Sequence, residues 1–186
     1  MPLGRKAMIN EQEIIQQLQQ KKTRESAFSK LVYEYQEPIY WQIRRLVTDH
    51  DDANDIVQNT FLKAWSAIDS FRGESKISTW LFRIAINEAL NFIDKKKQNI
   101  YLDDTENSVA YMLRSDPYFD GDETQLQLQQ AISQLPEKQR AVFNLKYFQE
   151  MKYEDMSQVL DTSVGALKAS YHHAVKKICA FFNSID

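Results

Sequence analysis

The chain has 186 residues, and its 23 Lys and Arg against 26 Asp and Glu give a formal net charge of −3 at pH 7. Glycine and proline number four each, whereas average usage in a chain of this length gives roughly 22 in total. So few turn-forming residues argue against a fold of many short strands, and we expect an all-α protein. The single cysteine, Cys179, excludes an intrachain disulfide framework and a cysteine-based zinc cluster.

No stretch of the sequence is apolar enough for a signal peptide or for the ~20 residues of a membrane span. We therefore expect a cytoplasmic protein with no membrane span. Taken over the whole chain, the acidic balance argues against nucleic acid as a partner, although that inference depends on where the charges lie.

Apolar residues recur every three or four positions through the first hundred residues, which predicts four helices. We expect these helices around residues 14–18, 27–47, 53–68 and 78–97. Pro38 lies within the second pattern and is expected to kink or break that helix near Glu37. Residues 69–76, which include Gly73, are predicted to form a loop.

An acidic segment follows the fourth predicted helix. Residues 101–123 carry seven acids and one base, together with a proline and a glycine, and this composition is typical of an exposed, flexible linker. Outside it the chain holds 22 bases and 19 acids, so the flanking parts are mildly basic. We divide the chain into an N-terminal extension, a helical domain, a linker and a second helical domain, at residues 1–22, 23–99, 100–124 and 125–186.

The second half of the chain predicts four more helices, the last two of which have helix-turn-helix spacing. A short helix at 153–160 and a turn at 161–163 precede a long helix that begins at Val164. Ser163 can cap the long helix, with Thr162 as a rival. The pattern fits both a DNA-binding helix-turn-helix and a plain helical hairpin.

The start of the long helix has side chains that suit a DNA groove. Gly165 and Ala166 are small, which allows close approach, and several polar or aromatic residues follow that can face bases and phosphates. These are Lys168, Ser170, Tyr171, His172 and Lys176. Lysines at these positions are equally compatible with an ordinary solvated face.

Signs of catalysis or metal binding are weak. The sequence has no glycine-rich phosphate loop and no recognisable nucleophile motif, so we expect neither an enzyme nor a cofactor. His172 and His173 are adjacent on a helix and point about 100° apart, with no third ligand nearby, so no metal site is expected. Cys179 is expected to be a buried core thiol.

Two features of the first half suggest binding surfaces. Asp55, Gln58 and Asn59 share one face of a predicted helix, opposite Ile56 and Phe61, and form either a solvated surface or a docking face. Further on, the stretch 71–83 interleaves aromatic, basic and hydroxyl side chains, a mixture that suits single-stranded nucleic acid. Its aromatic residues, Trp80 above all, are also good candidates for the core.

Together the two halves resemble the bacterial sigma-70 family, and more narrowly its extracytoplasmic-function (ECF) group. Residues 23–99 resemble region two through Asp55-Ile56-Val57-Gln58, Phe61-Leu62-Lys63-Ala64-Trp65, Phe71-Arg72-Gly73, Thr79-Trp80-Leu81-Phe82-Arg83-Ile84-Ala85 and Asn87. Residues 125–182 resemble region four through Leu135-Pro136, Arg140-Ala141-Val142-Phe143, Leu145 and Tyr147-Phe148, followed by the helix-turn-helix.

The resemblance implies an RNA polymerase sigma factor, which binds core polymerase, recognises the promoter minus-35 and minus-10 elements, assists melting and then dissociates. Core polymerase would supply all the chemistry. Region two of the family docks on the beta-prime clamp helices and region four on the beta flap. The resemblance places core-polymerase binding at Asp55, Gln58, Asn59 and Phe61.

The same resemblance assigns candidate DNA contacts. The minus-10 element would be met by Phe71, Arg72, Ser78, Thr79, Arg83 and Asn87. The minus-35 element would be met by Ser163, Gly165, Ala166, Lys168, Ser170, Tyr171, His172 and Lys176. Family members are usually held inactive by an anti-sigma factor, which can retain them at the membrane.

The chain also departs from the family pattern. Ser170 stands where the family often has arginine, and Lys152 where it commonly has serine or threonine, so no promoter consensus can be carried over. Two alternatives remain: a helix-turn-helix regulator that does not bind core polymerase, and a helical adaptor that binds only proteins.

Overall fold

The computed structural model describes residues 10–47, 49–99 and 123–185, and in these ranges the chain is helical with no strand. The helices are α1 (Glu11–Gln19), α2 (Arg24–Val47), α3 (His50–Ala67), α4 (Ile77–Asn99), α5 (Glu123–Ser133), α6 (Glu137–Tyr147), α7 (Tyr153–Leu160) and α8 (Val164–Ile185), with a single 3₁₀ turn at Ile68–Ser70. The predicted all-α class is confirmed. The predicted acidic linker lies outside the described residues, apart from its last two positions, which begin α5.

The helix ends follow from local chemistry. Asp49 precedes α3, and its carboxylate accepts a hydrogen bond from the Asp52 amide at 2.9 Å, as an N-cap residue does. Asp161 ends α7 in the left-handed region, with φ 48° and ψ 49°. Aspartate tolerates this conformation better than branched residues do, and it turns the chain sharply between α7 and α8.

Of the two outcomes predicted for Pro38, the break in the second helix is wrong, and the kink stays a prediction. Helix α2 continues from Arg24 to Val47 with Pro38 inside it. Leu31, Ile39 and Ile43, which flank the proline on the core-facing side, are completely buried. Packing of this apolar face therefore outweighs the lost backbone hydrogen bond and the steric cost of an internal proline.

The prediction for Cys179 is also wrong, because the thiol is exposed. On α8 the buried positions are Leu167, Ala174 and Ile178, which recur at helical spacing. Cys179 is one residue beyond Ile178 and so points about 100° away from the buried face.

The two halves of the chain are in contact. Helix α4 packs against α7, and α2 packs against α5 and α6. The main hydrophobic cluster is continuous across this boundary and joins Leu31 and Leu81 of the first half to Met156 and Leu167 of the second. A smaller cluster around Ile132 and Phe143 lies within the second half.

Charged side chains also bridge the two halves. Arg140 on α6 donates from Nη1 to the carbonyl oxygen of Leu46 on α2 at 2.7 Å. The Arg45 guanidinium lies 3.9 Å from the ring centre of Phe148, which is a cation–π contact. These two contacts hold α6 and Phe148, the residue directly after it, against the C-terminal end of α2.

Candidate nucleic-acid interface

The helix-turn-helix has the local geometry that the sequence predicts. The Ser163 hydroxyl accepts from the Ala166 amide at 3.3 Å and caps α8. The rival, Thr162, instead donates its hydroxyl hydrogen to the Leu160 carbonyl at 2.9 Å and so stabilises the end of α7. The cap leaves the first turn of α8 open to solvent.

Most candidate minus-35 residues lie on the exposed side of α8. Gly165 has open space where a Cβ atom would be, so nothing in the described residues obstructs this end of the helix. Exposed with it are Ser163, Ala166, Lys168, His172 and Lys176, whereas Ser170 is half-buried.

Tyr171 differs from the other candidate minus-35 residues. Its ring stacks on Phe143 of α6, with 5.8 Å between the ring centres and 16° between the planes. Burial is the largest cause of the raised pKa of Tyr171, followed by the neighbouring Tyr153 and Tyr147. The ring therefore lies on the core-facing side of α8, and any contact with DNA would have to come from its edge or hydroxyl.

The candidate minus-10 residues are divided between one cleft and its surroundings. A cleft of about 760 Å³ is lined by Phe71, Arg72, Thr79, Trp80 and Arg83. Phe71 is only 8 % exposed and Thr79 only 2 %, and the Phe71 ring packs on Trp80 with 5.0 Å between centres. The two arginines are exposed and supply the positive charge of the cleft, which the exposed carboxylates of Glu74 and Asp161 also line.

Two further minus-10 candidates lie outside this cleft. Ser78 neighbours Tyr35 of α2 and lowers the pKa of its hydroxyl, which burial raises more strongly. Asn87 lies farther along α4 and lines a different cleft with Lys63 and Glu88, two residues that form an ion pair at 2.5 Å.

The opposite wall of the 760 Å³ cleft belongs to the helix-turn-helix domain. Ser157, Gln158 and Asp161, from α7 and its C-terminal end, face the candidate minus-10 residues across it. Beside the cleft, Lys76 pairs with Asp155 of α7 at 2.8 Å. Sequence reasoning missed both members of this pair, because no periodicity or motif connects positions so far apart in the chain.

The candidate polymerase-binding residues surround an apolar groove of about 520 Å³ between α2 and α3. Asp55 and Gln58 are exposed at its edge, and Phe61 lines it while being 8 % exposed. Asn59 faces the other way, into a cleft between α3 and α4. The four predicted residues therefore do not form a single face.

Sequence reasoning passed over the most exposed apolar side chains of this groove. Leu62 is 59 % exposed and Trp65 is 38 % exposed. The Trp65 ring contacts Phe28 of α2 edge-on, with 5.0 Å between centres. The sequence does contain a signal for this exposure, because Leu62 and Trp65 lie outside the helical repeat of buried residues formed by Ile56, Thr60 and Ala64.

Neither a metal-binding cluster nor a membrane helix was found among the described residues. In those ranges, His, Cys, Asp and Glu form no group of three that could hold an ion. No helix in the same ranges combines the length and apolar character that crossing a membrane requires.

Comparison with known proteins identifies the family. Residues 31–99 match the family model for sigma-70 region 2, and residues 125–178 match the one for sigma-70 region 4. The RNA polymerase sigma-H factor of Pseudomonas aeruginosa is 32% identical over 185 residues, covering 90% of this chain and 91% of the relative. The ECF sigma factor SigW of Bacillus subtilis is 36% identical over 164 residues, covering 83% of this chain and 88% of the relative. This chain belongs to the ECF sigma factor family.

Solved structures agree on the fold of this ECF sigma factor. The sigma factor RpoE of Bartonella quintana, crystallised with the anti-sigma factor NepR, superposes with a TM-score of 0.70 at 22% identity, over 84% of this chain and 96% of the other. CnrH, in complex with the cytosolic domain of CnrY, gives a TM-score of 0.71 at 21% identity, over 95% and 99%. The family prediction is thus confirmed, whereas the individual contact residues and the domain limits stay predictions.

Proposed function

We propose that this ECF sigma factor is a dissociable promoter-specificity subunit that binds core RNA polymerase through the groove between α2 and α3. The observation that carries the proposal is the exposure of Leu62 and Trp65 beside Asp55 and Gln58. An apolar groove with a polar rim on an otherwise folded helix pair is typical of a protein-binding surface. A helix-turn-helix regulator that does not bind polymerase leaves this groove without a role.

DNA would be bound at two other surfaces. The exposed Arg72 and Arg83 would hold phosphates of the melted minus-10 strand, while the Phe71–Trp80 pair offers an aromatic wall for an unstacked base. The first turns of α8 would enter the major groove at the minus-35 element, since small residues at its start permit close approach. Core polymerase supplies the phosphoryl-transfer chemistry, so the chain needs no catalytic residue of its own.

Use of both elements at once requires the two halves to separate. Positions minus-35 and minus-10 are about 25 base pairs apart, or about 85 Å of duplex at ~3.4 Å per base pair. Here the two candidate DNA surfaces are close neighbours, since Asp161 lines the minus-10 cleft and precedes Ser163, a candidate minus-35 residue, by two positions. The 23 residues between α4 and α5 can span up to about 80 Å when extended, so the chain length permits this opening.

The chemistry of the contact between the halves supports such an opening. Burial lowers the pKa of Arg45 to about 10 and is also the main cause of the lowered pKa of Arg140. No carboxylate takes part in the hydrogen bond and the cation–π contact that join α2 to α6, and the neighbouring Glu137 on α6 only partly offsets the lowered pKa of Arg140. Desolvating two cations in this way costs free energy, which is recovered when the halves separate and water returns.

An anti-sigma factor is a further proposed partner. RpoE was crystallised with the anti-sigma factor NepR, and CnrH forms a complex with the cytosolic domain of CnrY. By analogy this chain would be held inactive in the cytoplasm, or at the membrane by a tethered partner. The analogy is one of fold alone, because both identities are below 25%.

The test of the proposed function combines polymerase binding with transcription. Purified core RNA polymerase should capture the wild-type chain and initiate from particular templates of a genomic promoter library. The paired substitution Asp55→Ala and Gln58→Ala should weaken capture by at least about tenfold. Absence of promoter-dependent initiation from every template would favour the adaptor alternative, and unchanged capture by the variant would refute the assigned docking surface.

A further inference from the structure

The N-terminus of α4 has no cap of its own. The Lys76 carbonyl accepts the first intrahelical hydrogen bond, from the Trp80 amide, which makes Lys76 the N-cap residue. A lysine side chain has no acceptor and cannot satisfy the free amides of the first turn. The neighbouring Ser75 does not replace it, because its hydroxyl donates to the Lys76 carbonyl at 3.3 Å.

The missing cap comes from α1. A carboxylate oxygen of Glu11, 66 positions earlier in the chain, accepts a hydrogen bond from the Ile77 amide, the first of α4. Its negative charge also lies at the positive end of the α4 dipole, where a carboxylate is stabilising. The α4 N-terminus, next to the candidate minus-10 cleft, is thus organised by a residue outside the part of the chain that matches region 2.

Helix α1 is held firmly enough to act as such a support. Its Ile14 and Leu18 are 3 % and 2 % exposed and join the main hydrophobic cluster. Arg24 at the start of α2 donates from Nε to the Leu18 carbonyl at 2.9 Å, and its guanidinium pairs with Asp69 at 2.5 Å. Asp69 belongs to the 3₁₀ turn directly before the 71–76 loop. Arg24 therefore connects the end of α1 to the start of this loop.

A second support meets the same turn of α4. Tyr35 of α2 is a neighbour of Ser78, and its pKa is raised by burial and then by the charges of Glu11 and Glu34. Glu11 therefore bonds the Ile77 amide, while Tyr35 neighbours the next residue of the helix. Contacts at two consecutive residues restrict both the position and the rotation of the first turn.

We infer that Glu11 is a positioning residue for minus-10 recognition: it fixes the first turn of α4, and with it the orientation of Thr79 and Arg83 in the cleft. The inference rests on the proposed function. A residue in this role should not touch DNA, and its loss should reduce minus-10 capture without changing core binding.

The test uses the full chain assembled with core RNA polymerase. Variants Glu11→Ala and Glu11→Gln are compared with Glu13→Ala, a control on the same helix whose exposed carboxylate accepts a hydrogen bond from Gln17, one turn farther along α1. Binding of a fluorescent single-stranded minus-10 oligonucleotide, taken from a template that supports initiation, is measured beside core affinity. Hydrogen exchange of the Ile77 amide reports directly on the cap in the free chain.

The expected pattern distinguishes positioning from simple destabilisation. Glu11→Ala should bind the oligonucleotide about fivefold more weakly and expose the Ile77 amide to faster exchange, with core affinity unchanged. Glu11→Gln, whose amide oxygen can still accept, should recover most of the binding, and Glu13→Ala should match the wild type. Wild-type oligonucleotide binding by Glu11→Ala, or an equal loss of core affinity, would overturn the inference. Failure of the wild-type chain to bind polymerase would instead refute the proposed function.

Discussion

The ammonium group of Lys76 lies 2.8 Å from the carboxylate of Asp155, and the two residues are 79 positions apart in the chain. Lys76 precedes α4 beside the candidate minus-10 cleft, while Asp155 is in the first turn of α7. The hydrogen bond from Lys76 to Asp155 is the largest cause of the raised pKa of the lysine. A carboxylate here offers Lys76 the charge-assisted partner that a DNA phosphate would offer, so under the proposed function α7 and DNA would compete for this cation.

Loss of this pair should open the chain slightly. Exposed ion pairs contribute about 0.2–1 kcal/mol, so Asp155→Asn should raise the fraction of separated halves by a factor of about 1.4 to 5. Added salt should also raise the fraction of separated halves of the wild type, because it screens the ion pair. It should raise that fraction less in the variant, which lacks the pair. Energy transfer between a dye on the exposed Cys179 and one on a cysteine introduced by Lys95→Cys measures the separation.

The control for this experiment is Glu154→Gln. Glu154 is exposed and neighbours Asp155 on α7, so its removal changes the net charge equally without removing the pair. The same loss of energy transfer in both variants would assign the effect to overall charge, contrary to the prediction.

Leu62 should matter for polymerase and not for folding. The side chain is 59 % exposed, so Leu62→Glu costs little buried surface, and thermal unfolding should change by less than about 0.5 kcal/mol. Leu62 also lines the groove that we propose as the polymerase-binding surface. Leu62→Glu should therefore weaken core binding by at least about tenfold. Binding is measured by titrating labelled chain with core enzyme.

Ser66→Ala is the matched control for Leu62→Glu. Ser66 is exposed one turn farther along α3, and its hydroxyl donates to the Leu62 carbonyl of the same helix at 3.0 Å. Equal core affinity of the Leu62 variant and this control would exclude the groove from the polymerase contact.

Pro38 should be a point at which the protein can be stabilised. It lies inside α2, where a proline costs about 3 kcal/mol relative to alanine in an unconstrained helix. Because α2 already accommodates the ring, Pro38→Ala should recover part of this, about 1–3 kcal/mol in the free energy of unfolding by urea. Glu37→Ala, at an exposed position of the same turn, should change it by less than about 0.5 kcal/mol; a loss of stability in the proline variant would contradict the argument.

The helices were predictable because their determinants are local, and tertiary contacts explain the differences. The spacing of apolar residues and the capping residues gave α7 and the start of α8, and the linear motifs indicated the family. Pro38 and Tyr171 were misleading because tertiary contacts determine their surroundings. The buried apolar face of α2 keeps the helix intact around Pro38, and stacking on Phe143 places the Tyr171 ring toward the core. The Arg140 bond to Leu46 joins positions 94 apart, and no periodicity indicates which distant surfaces meet.

Asn144 links stability to the proposed opening. Its side chain is completely buried on α6, and neither its amide nitrogen nor its amide oxygen has a hydrogen-bond partner among the described residues. It is one helical turn from both Arg140 and Phe148, so it lies on the face of α6 that meets α2. Gln42 on α2 is buried in the same way, one turn before Arg45 and Leu46.

Asn144→Leu should therefore stabilise the closed chain and impair initiation. Replacing an unsatisfied buried amide by an apolar group of similar size removes a penalty of about 1–3 kcal/mol. The same leucine would be exposed when the halves separate, so urea unfolding should move to higher concentration while run-off transcription falls. Restoring transcription by adding Asp155→Asn to this variant would connect the loss to closure. A variant with raised stability and undiminished transcription would show that this contact does not restrain the sigma factor.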